Sequence, residues 1–148
     1  MAKTSRLALV ALFALGIAAS SARAADLTVV VNGVEDSNGK MVFFLFKDAN
    51  GWPTGTPTVT ATVAAHAGQT AYTYKGLPPG HYAVTGFHDE GGSGKMKYSL
   101  IGLPEEGYFF SNDKEPGLAS PPFDACTVVL ARDPVTINIR MQHWADNH

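Results

Sequence analysis

Residues 88–113, HDEGGSGKMKYSLIGLPEEGYFFSND, hold most of the side chains in this chain whose types and spacing could do chemistry. His88 is followed by Asp89 and Glu90, and Glu105 and Glu106 come a little further along. An imidazole whose tautomer is fixed by a neighbouring carboxylate, with more carboxylates at hand, suits general acid and base work. A hydrolase would also need a nucleophile, and Ser93, Ser99 and Ser111 all lack the Gly-x-Ser-x-Gly surroundings of a strained nucleophile turn. The simpler role for His88 and Asp89 is to pin the start of a long loop through hydrogen bonds.

A hard-cation loop places oxygen ligands at alternate positions around a glycine turn. Here those positions are Asp89, Gly91, Ser93, Lys95 and Lys97, with Gly94 at the turn. Asp89 is the only strong ligand among them, and two ammonium groups stand where acids are wanted, so Asp89 is a weak metal candidate and no metal or other cofactor is expected. The histidines, at 66, 81, 88, 143 and 148, show no zinc spacing and have no cysteine pair to join. Beside these groups lie Tyr108, Phe109, Phe110 and Phe123, with Trp52 in a separate Gly- and Pro-rich segment. Flat rings make a platform for a glycan or a peptide, or they cap an apolar sheet face; the cap is the favoured reading. The candidate binding surface is therefore Trp52, His88, Asp89, Glu105, Glu106, Tyr108, Phe109 and Phe110.

The elements that must position these residues read as seven short strands, at 26–34, 40–47, 58–65, 70–75, 81–88, 125–131 and 135–142. Asn38-Gly39 suits a tight hairpin turn between the first two, and Pro134 marks the start of the last. Thr58, Thr60 and Thr62 alternate with Val59, Ala61 and Val63, the pattern of a strand with one wet face. MVFFLF breaks that rule by being apolar on both faces, so either the long loop covers its outer face or that face is a sticky surface, and cover is the favoured reading. GLPPGHYAV is a rigid corner feeding a strand, with Tyr82 and Val84 on one face and Ala83 and Thr85 on the other. Between the fifth and sixth strands one long loop of some 35 residues is expected. The strands should be mostly antiparallel neighbours, and the fold class expected is a seven-stranded antiparallel two-layer all-β sandwich.

The first residues carry Lys3 and Arg6, an apolar run from Leu7 to Ala19, and Ala22 and Ala24 where a signal peptidase reads. That is the pattern of a cleaved secretory leader, 1–24, followed by one domain, 25–148, in the periplasm or outside the cell. The apolar run is too short for a spanning helix, so no membrane insertion is expected once the leader is gone. The chain has 11 basic and 13 acidic residues. Lys3, Arg6 and Arg23 leave with the leader, so the 8 remaining basic groups face 13 acidic ones. That balance argues against nucleic acid as a partner. Cys126 is the only cysteine and lies in an apolar run, so no intrachain disulfide is possible and a buried small hydrophobe is expected.

The corner Leu-Pro-Pro-Gly-x-Tyr-x-Val resembles those of prealbumin-like and carboxypeptidase-regulatory-like sandwiches. The order of GKMVFFLF, GLPPGHYAV, FHDEGGSGK, GLPEEGYFFSN and PPFDACTVVL is more specifically similar to the bacterial domain-of-unknown-function family 2141, over essentially the whole chain after the leader. In that family the loop at His88 tends to resemble the first half of a calcium loop, a pattern whose strong ligands this chain keeps only at Asp89. The resemblance implies an exported immunoglobulin-like or transthyretin-like β-sandwich and carries no activity with it. Transthyretin-like hydroxyisourate hydrolases end in Tyr-Arg-Gly-Ser, whereas this chain ends RMQHWADNH. The expectation is a non-catalytic binding or structural module for a small molecule, a glycan or a protein. The alternatives are a hydrolase or metal-dependent enzyme using His88 and Asp89, and a calcium-stabilised module.

Overall fold

The computed structural model describes residues 23–147, so the expected leader falls almost wholly outside the described residues. Eight strands follow in order: β1 (Ala25–Val34), β2 (Lys40–Phe46), β3 (Val59–Ala64), β4 (Gly68–Leu77), β5 (Gly80–Asp89), β6 (Tyr108–Phe110), β7 (Thr127–Leu130) and β8 (Val135–Arg140). A short helix, α1 (Trp144–Asn147), follows β8. Among the described residues no helix is long and apolar enough to cross a membrane. The fold is all-β.

The strands form two sheets that share a core. One has the order β4-β1-β8; the other has the order β3-β2-β5-β6, with β7 also paired to β5. In β1, Leu27, Val29 and Val31 are fully buried while Asp26, Thr28, Val30 and Asn32 are partly exposed, the alternation that a pleated strand over a core requires. Met41, Phe43 and Leu45 of β2 meet them from the other sheet, together with Tyr82 and Val84 of β5, Phe109 of β6 and Ile139 of β8. On the far side of β1, the Thr28 and Thr73 hydroxyls are 2.9 Å apart across the β1–β4 pair.

Three expectations change. The pairing of β1 with β8 is parallel, Leu27 opposite Val135 through Asn32 opposite Arg140, so the sheets are not wholly antiparallel. Alternation patterns carry no strand direction, which is why the spacing alone missed it. Asn38-Gly39 does not close a hairpin, because β1 and β2 lie in different sheets. Gly39 does take a positive φ of 62°, and a Cβ there would overlap the Asp89 carbonyl oxygen, so glycine is needed for close approach to the end of β5. The expected long loop contains β6, which makes eight strands rather than seven. Three apolar residues are too few to show a period.

β6 and β7 share one edge of β5 in series: Gly80 to Ala83 pair with β7, and Thr85 to Phe87 pair with β6. Val84 sits at the switch, where its N–H would be orphaned. The buried Ser111 hydroxyl accepts that N–H at 2.9 Å and donates to the Cys126 carbonyl, joining the two half-edges. Cys126 is a fully buried free thiol, and burial pushes its pKa up to about 11 against a partly offsetting pull from Lys114.

Candidate functional site

The outer face of the five-stranded sheet is apolar, and it organises the candidate site. Side chains alternate along β2, so Val42 and Phe44 point away from the main core; Ala83 and Phe87 of β5 and Tyr108 and Phe110 of β6 join them. Trp52, Met96, Phe123 and Trp144 pack against this second cluster from loops and from α1. Trp52 stands edge-on to Phe46 at 5.3 Å, Phe110 at 6.0 Å and Phe123 at 5.9 Å, and its indole N–H donates to the Pro121 carbonyl at 2.8 Å. The doubly apolar β2 is therefore covered.

The cover is incomplete. A groove of about 690 Å³ remains between the sheet floor (Phe44, Thr85, Phe87, Tyr108 and Phe110) and two loop flaps, residues 94–104 and 116–120. Met96, Tyr98 and Leu103 come from the first flap and Leu118 from the second, with Pro53 and Trp144 at the ends. Tyr98 and Leu118 are exposed at the rim, and Leu100 and Ile101 stand exposed at the tip of the first flap. Such a cavity has the size and apolar lining of a small-molecule site.

The first flap is a small self-bonded turn. Tyr98 bridges Pro104, Ser99 N–H donates to the Leu103 carbonyl at 2.8 Å, and Gly102 N–H, from a residue with φ of 82°, donates to the Ser99 carbonyl. Its base is where the expected chemical residues have gone. The Asp89 carboxylate accepts Ser93 N–H at 2.8 Å on one oxygen and Gly94 N–H at 2.7 Å on the other. Burial alone would raise its pKa, but the bonds from Gly94 and Ser93 outweigh that and hold it below the ordinary 3.8. The loop's own amides thus engage both oxygens of this carboxylate. Glu106 returns to Lys97: one oxygen accepts Lys97 N–H at 3.1 Å and the other lies 3.8 Å from the Lys97 ammonium.

His88, Asp89 and Glu106 are all buried, with 2%, 2% and 4% exposure, which removes them from the candidate surface. His88 Nε2 lies 2.7 Å from the Asn38 carbonyl, and since a carbonyl can only accept, Nε2 carries the proton. The ring thereby ties the end of β5 to the turn before β2. Asp36 and Glu90 carboxylates stand further off, at 3.8 and 3.9 Å. None of His88, Asp89 and Glu106 lines the groove; Glu105 lines a shallower hollow beside it. Among the described residues no three His, Cys, Asp or Glu side chains converge as a metal site would need.

Of the expected aromatic surface, Tyr108 and Phe110 form groove floor, and Trp52 packs edge-on against Phe110 without lining the groove. Phe109 faces the other way, fully buried against Phe43 at 5.3 Å, because neighbours on a strand alternate. Phe44, Phe87, Met96, Leu118 and Trp144 also line the groove, and none of them stood out in the sequence as a site residue. The one pointer to them was MVFFLF, whose second apolar face called for cover.

No curated protein and no solved structure matches this chain. A family model described as Uncharacterized protein conserved in bacteria (DUF2141) matches residues 29–138, a span from β1 into β8 that holds every wall of the groove except Trp144, and the chain belongs to that family.

Proposed function

We propose that the protein is an exported binding module without chemistry of its own, and that its working surface is the apolar groove over the outer face of the β3-β2-β5-β6 sheet. The observation that carries this reading is a cavity of about 690 Å³ floored by aromatic rings, beside two carboxylates engaged in holding the base of its first flap and a histidine bonded to the Asn38 carbonyl. A hydrolytic site would need those groups inside the cleft and within reach of a reacting atom.

Export rests on the leader pattern, and the start of β1 at Ala25, directly after the expected cleavage point, fits it. An immunoglobulin-like or transthyretin-like sandwich is the finer fold reading. It is supported by the shared core, by links that cross from sheet to sheet, and by the Tyr82 hydroxyl donating back to the Pro78 carbonyl at 2.7 Å, a corner of the kind such sandwiches use.

The test is a titration with anilinonaphthalene sulfonate, whose fluorescence rises in apolar clefts. Saturable binding of one dye per chain is expected, and Gly117→Trp should abolish it. Gly117 lines the second flap, and a Cβ there meets nothing within 4 Å, so an indole can be placed beside the groove without a clash at its Cβ. Dye binding that Gly117→Trp leaves unchanged would overturn the assignment.

A further inference from the structure

Resting on the groove as binding site, we infer that its ligand is a lipophilic acid: an apolar body on the aromatic floor with a carboxylate or equivalent anion at the Lys95 ammonium. Charge in the wall is what selects this class. Among the described residues that line the groove, Lys95 alone is charged and no carboxylate is present. This contrasts with a chain that has more acidic than basic residues.

The nearby acids are each directed elsewhere. Asp89 is held by the Ser93 and Gly94 amides, and Glu106 faces Lys97. Glu105 lines the neighbouring hollow, and Glu115 precedes the second flap without entering the wall. Lys97, the other ammonium on the first flap, is thus matched by Glu106, whereas no ion pair among the described residues holds Lys95. Lys95 is exposed at the groove edge, so its ammonium favours an anionic head over a neutral or cationic one by a modest, salt-dependent amount. The apolar body supplies most of the affinity through the area it takes from water.

Both an alkyl acid and an aromatic acid satisfy this chemistry, and competition against the bound dye separates them. Decanoate, decanol, decylammonium and naphthoate are titrated against the purified protein and against Lys95→Met, a substitution on an exposed flap that circular dichroism should find folded. Decanoate is expected to displace the dye at a concentration severalfold lower than decanol, with decylammonium weakest. The decanoate-to-decanol ratio, which does not depend on how tightly the dye itself binds, should fall to about one in Lys95→Met. Decanoate ahead of naphthoate assigns an alkyl body, and the reverse an aromatic one; either result supports a lipophilic acid. Equal displacement by decanoate and decanol, or a ratio untouched by Lys95→Met, overturns the acid assignment while leaving the groove as a binding site. Failure of the groove itself is read separately, from dye binding that survives Gly117→Trp.

Discussion

The two faces of β2 build two different interiors. Met41, Phe43 and Leu45 enter a core closed by a second sheet, where they are fully buried. Val42 and Phe44, one residue out of step, enter a cluster closed by loops and one helical turn, where Phe44, Trp52, Met96, Phe123 and Trp144 stay only partly buried. A sheet meets another sheet over a continuous pleated surface and can interdigitate with it at close-packed density. Loops bring side chains to a sheet from a few anchor points, and space remains between the anchors. The groove is that remaining space, so the same doubly apolar strand supports both the stable half of the molecule and its proposed binding half.

The largest test of this contrast compares Phe43→Ala with Phe44→Ala by denaturant unfolding. Removing the Phe43 ring empties a fully enclosed site and should cost about 4 kcal/mol. Phe44 forms floor under a groove, loses less burial, and leaves no sealed cavity; its replacement should cost about half as much. Equal costs would show that the outer cluster is packed as tightly as the inner one, and the groove would then lose its physical basis.

Next in size is Asp89→Asn, which probes how the loop-built half is anchored. The amide keeps one acceptor but gives up the charge that Ser93 and Gly94 N–H groups face, and a loss of about 1 to 2 kcal/mol is expected near neutral pH. The folded carboxyl titrates below its ordinary value of 3.8, so its stabilisation is complete above that pH and fades as pH falls through the lowered value. The stability gap between the unaltered protein and the Asp89→Asn variant should therefore be constant at neutral pH and narrow below pH 3.8. A gap that widens in acid would contradict the direction of the shift.

A third test returns to the inner core. The Tyr74 hydroxyl is buried there with no hydrogen-bond partner among the described residues, and burial with the nearby Tyr72 raises its pKa steeply, so it stays neutral. Tyr74→Phe removes an unsatisfied donor without opening a cavity and should stabilise the protein by about 1 kcal/mol, seen as a higher unfolding midpoint. Destabilisation would mean that the hydroxyl has a partner after all.

Much of this architecture was legible because alternation records burial. The β3 threonines, the Tyr82 and Val84 face, the Pro134 strand start and the need to cover MVFFLF all read directly from residue order. Pairing was not legible in the same way: the β1–β8 contact joins residues far apart in the chain, Leu27 with Val135, and nothing local distinguishes a parallel from an antiparallel neighbour. The groove was not legible for a related reason. His88, Asp89 and Glu106 have the residue types of a catalytic centre, but residue type does not reveal whether a carboxylate meets solvent or its own loop's amides. The groove wall comes from several separate segments, and only the fold brings them together.

The smallest expected effect concerns Leu118, exposed at the groove rim on the second flap. A leucine that packs against nothing contributes no burial, so Leu118→Ser should change the unfolding free energy by less than about 0.5 kcal/mol. The same substitution removes an apolar wall from the groove, and dye affinity should fall severalfold. That combination, stability unmoved and binding weakened, separates an apolar side chain kept for a ligand from one kept for the fold. If Leu118→Ser destabilised the protein instead, the flap would be part of the outer cluster's packing in solution, closed over the space now assigned to a ligand.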